Sequence, residues 1–305
     1  MSCDGALIAW SIKINNKRHI DELLRNRDNS GIEPDMQPRQ GDLMVPSPLI
    51  ELATELLAAR RAGRPIDPAT AAYMPANLVE AYDVQAATTA LRGAEVAAYK
   101  IGLTSTAAQE GLGATEPIAG RLTRQDIRFS PARIEVSTHL RIVEAEVIFR
   151  IDEDLRPEAA PFSKADIMRG VGCAFAGIEV CDTRFMGDDD TLPRIVADNG
   201  NADLLVVGEP LRDWSEEALR GLSVTLMRKA QPDVRGSTAK VLGHPLEAVT
   251  WLANWLAARG KGIRSGQLVA SGSCTGMTVL GPDEEVTATF GSLGSVSMRF
   301  VQASR

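Results

Sequence analysis

Apolar residues recur at helical spacing in three stretches of the chain. The stretches run from Ser47 to Gly63, from Asn77 to Gly93 and from Pro245 to Gly260. A serine followed by proline, an asparagine three residues before Glu80, and glycines at the far ends are typical helix boundaries. His244, directly before the third stretch, is interpreted as its cap. The pattern therefore predicts three helices.

Alternating or short apolar runs elsewhere predict β-strands. They cover 141–151, 204–207, 267–271, 286–290 and 295–301. Helices come first and most strands later, which favours an α+β fold over an alternating Rossmann sheet.

The first 45 residues differ from the rest, because they are polar and contain scattered prolines and glycines. We interpret residues 1–45 as a variable N-terminal leader and residues 46–305 as the folded domain that carries the function. No secretory signal pattern is recognised.

Composition narrows the function classes. The chain has 305 residues, is 44% hydrophobic and 24% charged, and carries a formal net charge of -7. An acidic balance argues against nucleic-acid binding, and no apolar run is long enough for a transmembrane helix. Four cysteines without a C-x-x-C pair indicate reduced thiols in a cytoplasmic protein.

Two acidic positions stand together in an apolar strand. In 142–149 the strand period puts Glu144 and Glu146 on one face, with isoleucines on both sides. Adjacent buried carboxylates repel each other, and a divalent cation removes that cost. The alternative is an exposed face of an antiparallel strand, where neighbouring glutamates need no ligand.

A second apolar run, 176–184, strengthens the metal interpretation. Glu179 lies among apolar neighbours, where a lone carboxylate is costly. Asp182 follows three residues later, so a bulge or the strand end must turn it inward. Three strand carboxylates in apolar surroundings leave a metal site and a solvated face about equally supported.

Other candidates are a lysine and two polar turns. Lys100 lies in an apolar strand, where a buried amine acts as an acid or base; the alternative, which this segment alone favours, is a surface lysine on an edge strand. Asp198 and Asn199 either line a pocket or cap a turn. The glycine-rich segment 269–276 lets backbone N–H groups approach an anion, or is simply a tight strand exit.

Six ordered motifs together resemble the 2-oxopent-4-enoate hydratase branch of the fumarylacetoacetate hydrolase superfamily. They are AYKIGLTS, VEAEVIF, GIEVCDTRF, ADNGN, SGSCTGM and FGSLGSVSMRFV, in that order. The resemblance implies an α+β fold with a mixed, rolled β-sandwich like the C-terminal domain of fumarylacetoacetate hydrolase, flanked by short helices.

The same resemblance implies a site. It assigns Mg2+ or Mn2+ to Glu144, Glu146 and Glu179, and proton transfer to Lys100 and Asp182. It also places the substrate beside Ser273 and Thr275, in a stretch where Cys274 departs from many relatives.

The activity implied is addition of water to a 2-hydroxy-2,4-dienoate, as in the meta-cleavage catabolism of aromatic compounds. Decarboxylation of a 4-oxalocrotonate-type acid is the close alternative, and a non-enzymatic activating subunit is a third. Hydrolysis is disfavoured, because no histidine lies between His19 and His139, where the hydrolase branch has one. The resemblance also implies a homo-oligomer whose partner is a small 2-oxo or 2-enol carboxylic acid, with no nucleic acid and no membrane.

Overall fold

The periodic apolar stretches form helices in the computed structural model, which describes residues 47–136, 142–187, 190–229, 231–281 and 283–302. The helices are α1 (Pro48–Ala62), α2 (Leu78–Leu91), α3 (Thr106–Gly111), α4 (Lys164–Gly170), α5 (Leu192–Ala197) and α6 (Pro245–Ala257). The three predicted long helices are confirmed as α1, α2 and α6.

The predicted caps stabilise the helix starts. The Asn77 side chain accepts a 3.0 Å hydrogen bond from the Glu80 N–H at the start of α2. The His244 ring accepts one of 3.1 Å from the Leu246 N–H at the start of α6. Each bond satisfies a backbone donor that the helix itself leaves without an acceptor.

The strands form two sheets. They are β1 (Val96–Gly102), β2 (Ile118–Thr123), β3 (Ile127–Phe129), β4 (Ala132–Val136), β5 (Ile142–Ile151), β6 (Val171–Cys181), β7 (Ala202–Pro210), β8 (Ser223–Arg228), β9 (Val234–Ser237), β10 (Leu268–Ser273), β11 (Thr278–Val279), β12 (Glu285–Phe290) and β13 (Gly294–Gln302). An eight-stranded mixed sheet has the order β2-β1-β10-β5-β6-β7-β3, with β11 paired to β5. A five-stranded sheet has the order β4-β13-β12-β8-β9. The predicted α+β class is confirmed.

One face of β5 lies in the main hydrophobic core. Its alternating apolar side chains from Val143 to Ile151 are fully buried, and they share a cluster with residues of β12 and β13 in the other sheet. Full burial of each larger side chain of this kind stabilises the fold by about 1.5–3 kcal/mol. The opposite face of β5, with the two glutamates, therefore points away from this core.

A smaller apolar cluster joins α1, α2 and α5. Leu52, Val84 and Val196 meet in it, and Ile118 of β2 packs against them. The apolar run at 195–197, directly before Asp198, is therefore the buried side of a short helix.

The chain divides between Ser47 and Pro48 into two units, and the elements given above belong to the second, Pro48–Arg305. The leader 1–45, His19 and His139 lie outside the described residues, so the proposed domain division stays a prediction. No described helix has the length and apolarity needed to cross a membrane. The expectation of reduced thiols is confirmed for Cys181 and Cys274, and is wrong for Cys173, which is disulfide-bonded.

Candidate active site

Three glutamates meet where β5 runs beside β6. Antiparallel pairing sets Glu144 directly opposite Glu179, and Glu146 lies two residues further along the same face of β5. Glu146 and Glu179 are buried, and Glu144 is partly exposed. The alternative of an exposed glutamate face is therefore wrong for two of the three.

The buried carboxylates are poorly compensated by the protein. Oε2 of Glu146 accepts a 2.9 Å hydrogen bond from the Gly272 N–H. Its Oε1 and both oxygens of Glu179 are buried and accept no hydrogen bond from the described residues. Burial raises the pKa of Glu146 well above its ordinary value, and the charges of Glu179 and Glu144 add to that effect. Such oxygens favour a positive charge beside them.

Lys100 supplies one such charge from the interior strand β1. Its Nζ lies 3.4 Å from Oε1 of Glu179 and donates a short hydrogen bond to the Gly200 carbonyl. Burial alone lowers the pKa of Lys100, but the nearby acids, Glu179 foremost, outweigh it and raise that pKa above its ordinary value. The lysine is buried and charged, so the edge-strand alternative is wrong.

Glycines leave room for the lysine. A Cβ on Gly200 would lie 2.8 Å from Cε of Lys100, and one on Gly120 would lie 3.0 Å from its Cγ. Both contacts are closer than van der Waals packing allows, so any larger residue would displace the amine. The small residues flanking Lys100 therefore help to set its position.

A left-handed turn contains Gly200, whose carbonyl accepts the hydrogen bond from the Lys100 amine. Asn199, Gly200 and Asn201 have φ angles of 59°, 65° and 60°, a conformation that asparagine and glycine adopt most readily. The Asn199 side chain exchanges two hydrogen bonds with the Arg121 backbone, of 2.7 and 2.8 Å. We refer to 199–201 as the left-handed turn.

Asp182 comes directly after β6, where the strand period no longer applies. Its N–H donates a 2.9 Å hydrogen bond to the carbonyl of Asn201 in the left-handed turn. The side chain is buried and lines the same cavity as Lys100. The strand end therefore turns this carboxylate inward, one of the two ways that the sequence suggested.

A cavity of about 750 Å³ opens over these groups. Polar side chains lie at one part of its wall, among them Lys100, Glu144, Asp182 and Ser273. Most of the remaining wall is apolar, with Ile101, Leu103, Leu112, Ile118, Ile142 and Met277. A polar part beside an apolar wall suits a small ligand with a charged head and an uncharged chain.

The glycine-rich segment contributes less than its composition suggests. The Gly272 N–H bonds Glu146, and the Gly276 N–H donates a 2.8 Å bond to Oγ of Ser273. These donors are therefore not available to an anion, although the Ser273 hydroxyl still faces the cavity. Thr275 is buried and accepts a 3.2 Å bond from the Ala145 N–H, so it braces β5 and does not line the cavity.

Asp198 and Asn199 also lie away from the cavity wall. Asp198 is buried against Arg184, whose N–H, Nε and Nη2 donate to its side-chain and carbonyl oxygens. The Asn199 side chain forms both of its hydrogen bonds with the Arg121 backbone. Of the predicted site residues, Lys100, Asp182, Ser273 and Glu144 line the cavity, and Asp198, Asn199 and Thr275 do not. Glu146 and Glu179 are buried beside Glu144 on β5 and β6.

Two further residues belong to the site and were not singled out from the sequence. Cys181 and Lys240 both line the cavity. Cys181 lies two residues after Glu179, so the strand period places both on one face. That spacing was the available signal, whereas nothing in the sequence near Lys240 indicates its place.

The residues fit a divalent cation. Glu144, Glu179 and Cys181 each offer a ligand atom, and these atoms all lie within 4.8 Å of one another. Glu146 adds a carboxylate oxygen that accepts no hydrogen bond from the described chain. Hard divalent ions prefer such oxygen-rich surroundings.

Comparison with known proteins shows the family to which the chain belongs. No family model matches the chain. A 2-keto-4-pentenoate hydratase of Paraburkholderia xenovorans (strain LB400) is 32% identical over 267 residues, covering 84% of this chain and 96% of that protein. A 4-oxalocrotonate decarboxylase of Pseudomonas putida is 30% identical over 211 residues, covering 69% and 79%.

A solved structure extends the likeness to three dimensions. The 4-oxalocrotonate decarboxylase from Pseudomonas putida G7, complexed with magnesium and adipate, superimposes with a TM-score of 0.75 at 28% identity. The match covers 83% of this chain and 97% of that one.

The fold, together with a carboxylate cluster beside a buried lysine, defines a protein of the fumarylacetoacetate hydrolase superfamily. Within that superfamily, the chain belongs to the family of 2-keto-4-pentenoate hydratases and 4-oxalocrotonate decarboxylases.

Proposed function

We propose that this chain is a divalent-metal-dependent hydratase that converts a 2-hydroxy-2,4-dienoate into a 4-hydroxy-2-oxo acid. The observation that carries the proposal is a cavity lined by Glu144, Lys100 and Asp182, with a mostly apolar remaining wall. Glu179 lies directly opposite Glu144 in the sheet and 3.4 Å from Lys100, and Glu146 is buried two residues along β5. Hydratases among its relatives support the reaction class.

Glu144, Glu146 and Glu179 would hold the ion, Mg2+ or Mn2+. The buried oxygens of Glu146 and Glu179 that accept no hydrogen bond from the described residues support this assignment, as does the magnesium in the structure of a decarboxylase relative. When bound, the ion supplies a Lewis acid that attracts the substrate's carboxylate and 2-oxygen and stabilises negative charge there.

Proton movement falls to Lys100 and Asp182. Conversion of the dienol to its 2-oxo form moves one proton from the 2-hydroxyl to C5, and water then adds its hydroxyl to C4 and a proton to C3. Lys100 lines the cavity beside Glu179, and its protonated Nζ is the group that donates a proton to carbon. Asp182, on the same wall, is the acceptor that takes a proton from the hydroxyl or from water.

Ser273 and the apolar wall orient the substrate. The Ser273 oxygen already accepts the Gly276 N–H, so its own proton is free to bond the substrate's carboxylate. The apolar side chains bury the hydrocarbon tail and exclude bulk water from the dienol, which strengthens the polar contacts at the head.

Decarboxylation of a 4-oxalocrotonate-type acid is the second candidate, and one observation favours it. Lys240 lines the cavity, and its ammonium forms no ion pair within the described part of the chain. A free cation on the wall would suit the second carboxylate of a dicarboxylic acid.

An assay of both substrates with Mg2+ tests the proposal. The purified protein should consume 2-hydroxypenta-2,4-dienoate and yield 4-hydroxy-2-oxopentanoate by proton NMR, with activity lost on chelation. Release of CO2 from 4-oxalocrotonate without hydration selects the decarboxylase. Turnover of neither acid by protein that binds Mn2+ would refute both and favour the non-enzymatic subunit.

We also propose that the protein acts in the cytoplasm as a homo-oligomer. Met277 and Val279, two residues apart on the segment after β10, are 73% and 65% exposed, and neighbouring exposed apolar side chains are the material of an interaction patch. Light scattering of the purified full chain would measure the mass, and a monomer at micromolar concentration would contradict the assembly.

A further inference from the structure

Cys181 is a free, buried thiol beside the glutamates. It ends β6 two residues after Glu179, so both side chains project from one face of the strand. Its Sγ lies 3.7 Å from Oε2 of Glu144, to which the thiol donates a weak hydrogen bond. The sulfur therefore belongs to the same cluster as the proposed metal ligands.

The spacing of these atoms matches a coordination sphere. Zinc binds thiolate sulfur at about 2.3 Å and carboxylate oxygen at about 2.1 Å, so two such ligands at a tetrahedral angle lie about 3.6 Å apart. The observed separation of Sγ and Oε2 is 3.7 Å. One ion could thus contact both atoms with little movement of either side chain.

Glu179 completes the set from the neighbouring position. One of its oxygens lies within 4.8 Å of both Sγ of Cys181 and the ligand oxygen of Glu144. Both Glu179 oxygens are buried without a hydrogen bond from the described residues. This side chain is 1% exposed, and Lys100 faces only its Oε1, at 3.4 Å. The buried Oε2, which accepts no hydrogen bond from the described residues, is therefore a second observation, independent of the thiol, that points to a cation.

We propose that Cys181 makes this a mixed oxygen–sulfur site, which binds zinc or cadmium through Sγ together with Glu144 and Glu179. The inference rests on the proposed function, in which the glutamates hold a divalent ion. Hard Mg2+ prefers oxygen and leaves the thiol protonated, whereas softer ions favour thiolate and release its proton to solvent. Zinc and cadmium therefore displace Mg2+, and Cys181 sets that preference.

Cadmium binding to the full-length protein tests the assignment. Sulfur bound to Cd2+ gives a charge-transfer absorption in the ultraviolet, which carboxylates do not give. Wild type should show this band saturating at one ion per chain, and Cys181→Ser should lack it. Cd2+ affinity, measured against a competing chelator, should fall at least ~10-fold in the variant, since even outer-sphere partners of a metal site are worth that much.

The matched control is Cys274→Ala, because Cys274 is the other thiol that is both free and buried in the described chain. It should keep the band and the Cd2+ affinity of wild type. Cys181→Ala is the second variant in case serine disturbs folding, and the Co2+ spectrum of wild type reports a sulfur ligand with no substitution at all.

Mn2+ binding, followed by electron paramagnetic resonance, separates the two proposals. If wild type binds Mn2+ but the cadmium band persists in Cys181→Ser, the sulfur assignment is overturned and the oxygen site stands. If wild type binds no Mn2+ and shows a Cys181-dependent band, the sulfur site stands and the proposed hydratase site fails. A cobalt spectrum without a sulfur band would also overturn the role of Cys181.

Discussion

Replacing Lys100 by methionine separates its chemical role from its electrostatic one. The change keeps a long apolar stem in the space bounded by Gly120 and Gly200 and removes the ammonium 3.4 Å from Glu179. Two unit charges at that distance interact by about 5 kcal/mol at an effective dielectric constant of ~20, and by about 1 kcal/mol in bulk water. The real value lies between these limits.

Two opposite effects should follow. The ammonium and a bound cation compete for the Glu179 carboxylate, so loss of the Lys100–Glu179 attraction should tighten Mn2+ binding by at least the lower figure, roughly fivefold. Turnover should fall by ~100-fold or more if Nζ is the proton donor.

Calorimetric Mn2+ titration and the dienoate assay at saturating Mn2+ measure these quantities. Lys240→Met is the control for charge, because it removes a cation from the same cavity wall without touching Glu179. Near-normal turnover of Lys100→Met would remove the lysine from proton transfer, and weaker Mn2+ binding would refute the electrostatic argument.

Three further predictions concern the surroundings of the site. Arg184→Met leaves Asp198 buried without its partner, so the free energy of unfolding, measured in urea, should fall by ~3–5 kcal/mol. The exposed Arg169–Asp166 pair is the control, and an equal or smaller loss from Arg184→Met than from breaking that pair would contradict the argument. Gly200→Ala should lower turnover by displacing Lys100. Gly260→Ala should not, because Gly260 has the same φ of 65° but open space around it. Equal losses of turnover in the two variants would show that backbone strain alone is responsible. Burial alone raises the pKa of Asp126, but Arg92 and Arg60 outweigh it and hold that pKa below its ordinary value. The stabilisation by the Asp126 carboxylate is therefore complete above the unfolded-state pKa of about 3.9 and is lost as the pH falls further. Urea unfolding curves of wild type and Asp126→Asn should differ at pH 6 and converge towards pH ~3.

Local patterns predicted much of the fold because their causes are local. The caps at Asn77 and His244 depend on bonds to residues two or three positions away. The alternation in β5 depends only on the strand period, which is why it correctly set Glu144 and Glu146 on one face.

Long-range partners account for what the sequence did not reveal. Asp198 forms an ion pair with Arg184 and Asn199 bonds the backbone of the distant strand β2, so neither side chain lies at the cavity. Burial alone predicts a lowered pKa for Lys100, but three acids from two other strands reverse the direction. Pairings of this kind depend on tertiary contacts that no periodicity encodes.

The left-handed turn has a consequence for redesign of this protein. Its main-chain carbonyls hold both the Lys100 amine and the backbone of Asp182, while the apolar wall that meets the substrate's tail comes largely from other segments, such as Ile101, Leu112 and Met277. Reaction chemistry and tail selection are thus assigned to different parts of the chain. Under the proposed function, substitutions in the outer wall should change which longer or branched acids bind, while the turn and the two groups that it aligns stay as they are.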